Sequence, residues 1–319
     1  MSDGPSEEVP GRPVSPPLRA CPALLAATIA LGAGSGCGGG SARDADFSLR
    51  WPEPRLERPE LIEVGARGGV LRLEPGRDYR IVIRQPVRAV GGLSLVGGRN
   101  LVVVGGHVTI PPAGPRATPA DRRGLLIAGQ TGTVHIEGLL IDNAGGDLSE
   151  GINIAAPRAV VQIQNTRVAG IHARDEKGFT DNHPDVIQTY GGVRELRVHR
   201  LTGTTTYQGL FLRGDSGPVG RIKLSKVNIV GLPTAHYLLW KRCRDPYPAP
   251  CGGPDFPMSV TDVWVRPAPG RSLRLSLKPE PPGGPWGDVH EGVPPGGDFV
   301  TEADLRERYA STGQRAGER

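Results

Sequence analysis

Short runs of alternating apolar and polar residues dominate the chain between residues 124 and 265. One set of runs is short, and its members begin at Gly124, Gly151, Val186, Gly209 and Tyr237. A second, longer set alternates with the first, and its members begin at Val134, Val161, Leu196, Ile222 and Val260. An apolar residue at every second position is typical of β-strands that bury one face.

The two sets of runs repeat together, so that each short run and the long run after it form one unit. These units recur at roughly 23 to 35 residues, a period typical of stacked repeat proteins. The same rhythm appears upstream, in residues 70–73, 80–83, 92–95 and 101–104. No strong helical pattern separates the runs, which argues against a βα barrel or a doubly wound sheet. A β-sandwich would have shorter turns and would lack the paired repeat.

The pattern therefore predicts an all-β fold, a right-handed parallel β-helix of roughly seven coils over residues 65–265. Residues 266–319 are rich in Pro and Gly. Within them, Thr301 and Asp304 match a capping box, which predicts a short C-terminal helix before a disordered tail. We expect this helix to cap the last coil, because an open coil exposes strand edges.

Composition changes this picture little. The chain has 319 residues, with 47 Gly, 32 Pro and 5% aromatic residues. Such a composition can indicate disorder, but here the glycines separate apolar runs and mark turns. The net charge is +5, mostly from Arg. No basic cluster is interleaved with aromatic residues, so we expect no nucleic-acid partner.

The N-terminal segment predicts export. The apolar stretch 24–31 follows Arg19, ends in small residues and is too short to span a bilayer, so residues 1–36 are expected to be a signal peptide. The sequence Gly34-Ser-Gly-Cys37 resembles a bacterial lipoprotein signal, although Gly34 stands where Leu is usual and the leader contains acidic residues. A lipid-anchored protein at the cell surface or in the periplasm and a freely secreted protein are both open. Membrane contact is expected only through a lipid on Cys37.

Residues 37–64 are expected to form a tether and an N-terminal cap, and the protein is expected to be a monomer. Cys243 and Cys251 lie close together in a Pro-rich loop. In an oxidising compartment this spacing favours a disulfide bond. A zinc site is the alternative, although no second Cys or His pair accompanies these two cysteines.

Alignment of the short runs predicts the side chains on one outer face of the stack. Neighbours within each row are expected about 4.8 Å apart. The first row contains Arg123, Glu150, Asp185, Gln208 and His236, the middle row contains Leu126, Asn153, Gln188, Phe211 and Leu239, and the last row contains Ala128, Ala155, Tyr190, Arg213 and Lys241. Loops of variable length precede the short runs, and the 242–258 loop follows the last one. We expect these loops to wall a groove over this face.

One motif lies at the entrance of this face. The sequence Asn182-His-Pro-Asp185-Val-Ile-Gln188 resembles the His-x-Asp-x-x-Gln pattern of the pectate-lyase-like β-helix superfamily. The resemblance covers about residues 65–265 in architecture and this one motif in detail. It implies a carbohydrate-active protein but leaves the reaction open among lyases, hydrolases, epimerases and glycan binders. Alternatively, Asn182 and Asp185 fasten the preceding loop by local hydrogen bonds.

The most concrete reading is a polysaccharide lyase that acts on a uronic-acid polymer by β-elimination. This reaction removes a proton α to a carboxylate, so it needs neutralisation of that carboxylate and a positioned base. Arg213 and Lys241 are the candidates for these roles, with His183 and Tyr190 as alternative proton carriers. The candidates for sugar binding are Asn153, Gln188, Phe211 and His236, with Phe211 stacking on a sugar ring.

Glu150 and Asp185 are candidate ligands for Ca²⁺, which binds carboxylate oxygens, and Asp142 or Asp181 would complete the shell. Glycoside hydrolysis is the weaker enzymatic reading. The sequence Arg221-Ile-Lys223 resembles the substrate-binding Arg-Ile-Lys of polygalacturonases, but Gln208-Gly209 stands where those enzymes carry paired aspartates. The alternative to an enzyme is a non-catalytic surface lipoprotein that binds glycan or has a structural role.

Overall fold

A computed structural model of the chain describes residues 47–112, 122–143, 150–173, 184–242, 256–279, 284–310 and 314–315. Within these residues, a 19-stranded sheet with parallel pairing dominates the fold. Its strands are β1 (Glu60–Val64), β2 (Gly69–Leu73), β3 (Tyr79–Ile83), β4 (Val87–Arg88), β5 (Leu93–Gly97), β6 (Leu101–Val104), β7 (His107–Ile110), β8 (Arg123–Ala128), β9 (Thr133–Glu137), β10 (Leu140–Asn143), β11 (Glu150–Ile171), β12 (Asp185–Gln188), β13 (Val193–Thr205), β14 (Gln208–Arg213), β15 (Val219–Gly231), β16 (Leu239–Arg242), β17 (Met258–Arg266), β18 (Leu277–Lys278) and β19 (Val289–Glu291). The helices are α1 (Leu273–Ser276) and α2 (Glu302–Arg308), and β20 (Tyr309–Ala310) pairs antiparallel with β21 (Gln314–Arg315).

The parallel strands form two main ladders and a third, smaller one, which contains β4, β7, β10 and the last part of β11. The short ladder contains β2, β5, β8, the first part of β11, β12, β14, β16 and β18. The long ladder contains β1, β3, β6, β9, the later part of β11, β13, β15, β17 and β19. The chain passes from one ladder to the other along its length, so each strand pairs with strands from the preceding and following repeats. This arrangement confirms the all-β prediction and is compatible with a β-helix.

The core is a set of apolar rows that run from strand to strand. The residues of one row are in register on the short ladder and at most 1% exposed: Leu93, Leu125, Ile152, Ile187, Leu210, Leu239 and Leu277. Each such side chain stabilises the fold by about 1.5–3 kcal/mol relative to an exposed one. The alternation in the sequence therefore reports the burial of one face of each strand.

A column of left-handed backbone conformations marks a bend at the same place in successive repeats. The six residues and their φ angles are Gly105 (67°), Gly138 (69°), Asn165 (51°), Arg200 (54°), Lys226 (52°) and Asp262 (54°). Each follows a residue that is in register with the corresponding residue of the next strand. Because most side chains avoid this conformation, its recurrence shows that the bend belongs to the repeat.

The N-terminal described segment lies against the outer side of the long ladder. The amide of Gln164 binds its backbone: Oε1 accepts from the N–H groups of Arg50 (2.9 Å) and Trp51 (3.1 Å), and Nε2 donates to the Trp51 carbonyl (2.7 Å). The ring of Phe47 lies between the guanidinium groups of Arg200 and Arg308, each 4.3 Å from its centroid. The two ends of the described chain therefore meet on this face.

Helix α2 begins at the predicted capping box. The Thr301 hydroxyl accepts from the backbone of Asp304, and the Asp304 carboxylate accepts from the backbone of Thr301. However, Leu305 and Tyr309 pack in an apolar cluster with residues of β6 and β10, so the predicted position over the last coil was wrong. The apolar side chain of Leu305 is buried against an apolar surface on the outer side of the long ladder.

The C-terminal segment is fastened by a buried carboxylate. Glu137 accepts hydrogen bonds from Tyr309 Oη (3.0 Å) and from Arg315 Nε (2.8 Å) and Nη2 (2.6 Å). Arg315 belongs to β21, although the sequence predicted a disordered tail after the C-terminal helix. Burial alone would raise the pKa of Glu137, but hydrogen bonds from Arg315 and His135 lower it to about 2. No helix among the described residues is long and apolar enough to cross a membrane.

Candidate functional site on the short ladder

The outward row along the middle of the short ladder confirms most of the predicted register. Its members, in order, are Val70, Ser94, Leu126, Asn153, Gln188, Phe211, Trp240 and Lys278. The prediction was correct through Phe211 and wrong at the next strand, where it placed Leu239. Leu238 and Leu239 are both fully buried, so β16 enters the ladder with two successive core residues. Strict alternation cannot reveal such a step.

The one-residue shift moves one predicted site residue, Lys241. Arg242, and not Lys241, is the partner of Arg213 in the register. Lys241 is paired with the buried Leu212, and its Nζ lies 4.8 Å from the ring centroid of Phe256. The prediction that Lys241 lies beside Arg213 was therefore wrong.

Two buried carboxyl groups lie on neighbouring strands of this face. Glu150 begins the short-ladder part of β11, Asp185 begins β12, and the register pairs Asn153 with Gln188. Asn153 lies between the core residues Ile152 and Ile154, so it points outward, and its Nδ2 donates to Glu150 Oε2. The pair therefore lies on the outer side of the ladder.

Burial perturbs both carboxyl groups in the same direction. It raises the pKa of Glu150 to about 7, against the hydrogen bond from Asn153 and the charge of Arg123. Burial and, next, the charge of Glu150 raise the pKa of Asp185 well above its usual range, while Arg213 opposes them. Two neighbouring carboxylates cannot both ionise easily, so this pair holds at least one proton near neutral pH.

Several buried polar atoms around this pair have no hydrogen-bond partner among the residues that the structure describes. They are both carboxyl oxygens of Asp185, both amide atoms of Gln208 and Oδ1 of Asn153. Asp185 and Gln208 are in register on adjacent strands and are 0% and 1% exposed. Folded proteins satisfy the great majority of such groups, so a cluster of exceptions indicates a place for a polar ligand.

A series of aromatic rings continues from this cluster toward β16. Tyr207 contacts the ring of His236 edge-on (centroids 5.5 Å apart), Tyr237 contacts Trp240 (5.2 Å), and Trp240 stacks on Phe211 (4.4 Å). Burial and then Asp185 raise the pKa of Tyr207, whereas burial and then Arg271 lower the pKa of His236. Sequence reasoning missed Tyr207, because it assigned the residues before the short run at Gly209 to a loop.

The other predicted site residues differ in exposure and position. The Phe211 ring stacks on Trp240, and the Arg213 guanidinium lies 5.1 Å from its centroid, so the prediction that Phe211 stacks on a sugar was wrong. Tyr190 is 57% exposed on the surface, and His236 is half-buried beside Tyr207. Gln188 and Asn153 occupy the predicted row. The remaining candidates lie outside the described residues: His183, Asp181, Cys37, Cys243 and Cys251.

Arg213 is held by an ion pair. Its Nε and Nη2 donate to the two carboxylate oxygens of Asp215 at 2.7 and 2.9 Å, and Arg242 Nε lies 3.2 Å from the same group. Burial would raise the pKa of Asp215, but the hydrogen bond from Arg213 and the charges of both arginines lower it. Two guanidinium groups therefore share one carboxylate at this edge of the face.

The predicted calcium shell has two members in the part of the chain that the structure describes. Asp142 bonds instead to His107, and no group of three or more His, Cys, Asp or Glu side chains in the described residues is suited to a metal ion. Calcium at Glu150 and Asp185 stays a prediction. Arg221 and Lys223 lie on β15 of the long ladder, and Lys223 pairs with Glu195 at 2.9 Å.

Comparison of the chain with family models, curated proteins and solved structures finds no match in any of the three. The resemblance to the pectate-lyase-like superfamily therefore rests on the residues themselves.

Proposed function

We propose that this chain is an exported, carbohydrate-active protein that cleaves an anionic, uronic-acid glycan by β-elimination on the outer face of the short ladder. The proposal includes a right-handed parallel β-helix of roughly seven coils, of the pectate-lyase-like kind. The paired ladders and the column of left-handed bends support this architecture, since stacked coils require both features at the same place in each repeat.

The observation that carries the functional proposal is the cluster of unpartnered polar atoms on Asp185, Gln208 and Asn153. Leaving a buried polar group without a hydrogen bond costs about 1–3 kcal/mol, so the cluster is unfavourable for stability alone. A ligand rich in hydroxyl groups would satisfy these donors and acceptors. Glycans are such ligands, and the row of outward side chains runs along successive strands as an extended polymer would.

The charges around the cluster favour an anionic glycan. Arg123 begins β8 beside Glu150, and Arg213, Arg242 and Lys278 follow on later strands of the same ladder. Opposing them are Asp215, which is ionised between its two arginines, and the Glu150–Asp185 pair, which holds a proton. Among the described residues of this face, positive charges therefore outnumber negative ones near neutral pH, which favours carboxylate-bearing sugars.

Within this proposal the carboxyl pair is the centre of proton transfer. Glu150 removes the proton α to the substrate carboxylate. Asp185 or Tyr207 donates a proton to the departing glycosidic oxygen. Export, lipid attachment at Cys37, the Cys243–Cys251 disulfide, action as a monomer and a role for Ca²⁺ belong to the same proposal. Any Ca²⁺ would need oxygens from amides, water or substrate in addition to this pair.

The test is to incubate the protein with galacturonan, alginate and glycosaminoglycan polymers, with Ca²⁺ or with a chelator. β-Elimination produces unsaturated chain ends that absorb in the ultraviolet. We expect Glu150→Gln to reduce this rate at least about 100-fold, because a general base contributes that much. The control is Glu195→Gln on the long ladder, which should retain the rate.

The outcomes separate the alternatives. New reducing ends without ultraviolet absorbance would show that the protein cleaves the glycan by hydrolysis and not by β-elimination. Binding without any product would favour the non-catalytic glycan-binding alternative. If the protein neither binds nor cleaves any polymer of the panel, the functional proposal is overturned and the structural role remains.

A further inference from the structure

The side-chain amide of Gln208 on β14 is buried without the hydrogen bonds that a buried amide usually makes. Its side chain is 1% exposed, and neither Oε1 nor Nε2 has a hydrogen-bond partner among the described residues. A buried amide normally bonds to backbone, as Gln164 does with all three of its bonds to residues 50 and 51. Gln208 therefore holds one acceptor and two donor hydrogens ready in a place where water competes little.

Gln208 lies close to the Glu150–Asp185 carboxyl pair on the same ladder. It is in register with Asp185 on the adjacent strand, and Asp185 neighbours Glu150 on the next, with about 4.8 Å between strands. A sugar ring that engages the carboxyl pair thus lies within one strand spacing of the amide. The amide and the pair would contact the same or the adjoining sugar.

We propose that Gln208 recognises two adjacent free hydroxyl groups of the glycan, one accepting from Nε2 and the other donating to Oε1. A planar amide presents its donor and acceptor side by side, and neighbouring hydroxyls on a sugar ring have the matching spacing. The glycan unit at this position must then be unsubstituted. This inference rests on the proposed function and adds the substrate group that the site selects.

Gln208→Met tests the proposal, since it keeps the length of the side chain and removes both polar atoms. Removal of two unpartnered buried atoms should raise the melting temperature of the free protein by about 2–5 °C. Loss of two hydrogen bonds should weaken binding of galacturonan or alginate oligomers with free hydroxyls about tenfold. O-acetylated forms of these oligomers should bind the wild type weakly and should be unaffected by the change.

Gln164→Met is the matched control, because its buried amide is fully bonded on the other ladder. It should lower the melting temperature and leave oligomer binding unchanged. A lower melting temperature for Gln208→Met, or equal affinity of wild type and Gln208→Met for free-hydroxyl oligomers, overturns the role of Gln208 alone. Failure of the wild type to bind any oligomer overturns this role together with the proposed function.

Discussion

At the scale of single residues, burial of Glu150 links stability to pH. Its folded pKa of about 7 lies above the ordinary value of 4.5, so its stabilising effect is complete below pH 4.5 and is lost as pH rises through 7. Asp185 acts in the same direction. We expect Glu150→Gln to increase the free energy of unfolding by about 2 kcal/mol at pH 8 and to change it little at pH 4.

Urea denaturation at the two pH values measures this effect, and Glu195→Gln again provides the contrast. Hydrogen bonds from Arg197 and Lys223 lower the pKa of Glu195 to about 2, although burial opposes them. That substitution should therefore reduce stability at pH 8. An equal effect of Glu150→Gln at both pH values would show that the carboxyl group is not strained by burial.

Single-residue chemistry was only partly predictable from the sequence. Glu150 and Asp185 could be placed together, because alternation fixes which positions share a row. The unpartnered amide of Gln208 and the burial of Tyr207 could not, since both depend on what covers a strand entrance. Lys241 was misplaced because Leu238 and Leu239 both enter the core, and an alternating pattern cannot record two successive inward residues.

At the scale of elements, the left-handed column is a shared turning point of the long strands, and Gly138 is its most constrained member. Its φ is +69°, and an added Cβ would lie 2.4 Å from the Tyr309 ring. Gly129 has a similar φ of +78°, but its nearest contact would be 3.7 Å away. We expect Gly129→Ala to cost about 1 kcal/mol from the backbone alone, and Gly138→Ala to cost at least about 2 kcal/mol more.

Equilibrium unfolding in urea compares the two variants. Similar losses would mean that Tyr309 yields to the new methyl group and that the contact with the strand is loose. A larger loss for Gly138→Ala, together with easier proteolysis after residue 297, would show that the glycine makes room for the C-terminal segment.

Strands were the most predictable elements, and the destination of α2 was the least. The capping box at Thr301 determines where the helix begins through local hydrogen bonds, which sequence shows directly. Where it packs depends on Val102, Val104 and Leu140, which lie far away in the chain. Local sequence patterns do not determine where the helix packs. The prediction relied on an exposed strand edge at the last coil, and it was wrong.

At the scale of the whole described fold, the ion pair between Arg315 and Glu137 joins the C-terminal strand to β9. Removing the guanidinium leaves a buried carboxylate with less compensation, so we expect Arg315→Ala to cost about 3 kcal/mol at pH 7. The stabilisation from Glu137 exists above its ordinary pKa of 4.5 and is lost as pH falls toward 2. The cost of Arg315→Ala should therefore shrink in acid.

Guanidinium denaturation at pH 7 and at pH 3 would measure this dependence. Arg306→Ala is the control, because its pair with Glu302 is solvent-exposed (76% and 47% of the side chains) and should contribute less than about 1 kcal/mol. Equal losses for the two variants would show that the Glu137 site is no stronger than a surface pair.

The fastening of the C-terminal segment to β9 also constrains how the protein can change its length. Repeats in an open stack are gained or lost by duplication and deletion, because each touches only its neighbours. Here the chain must return from β19 to Arg167, Glu137 and the column beside them. A duplicated repeat between β11 and β19 would lengthen that return by about one strand spacing, roughly 4.8 Å. A duplication that keeps the C-terminal segment in place therefore requires extra residues before residue 298. The number of repeats and the length of the C-terminal segment must then change together.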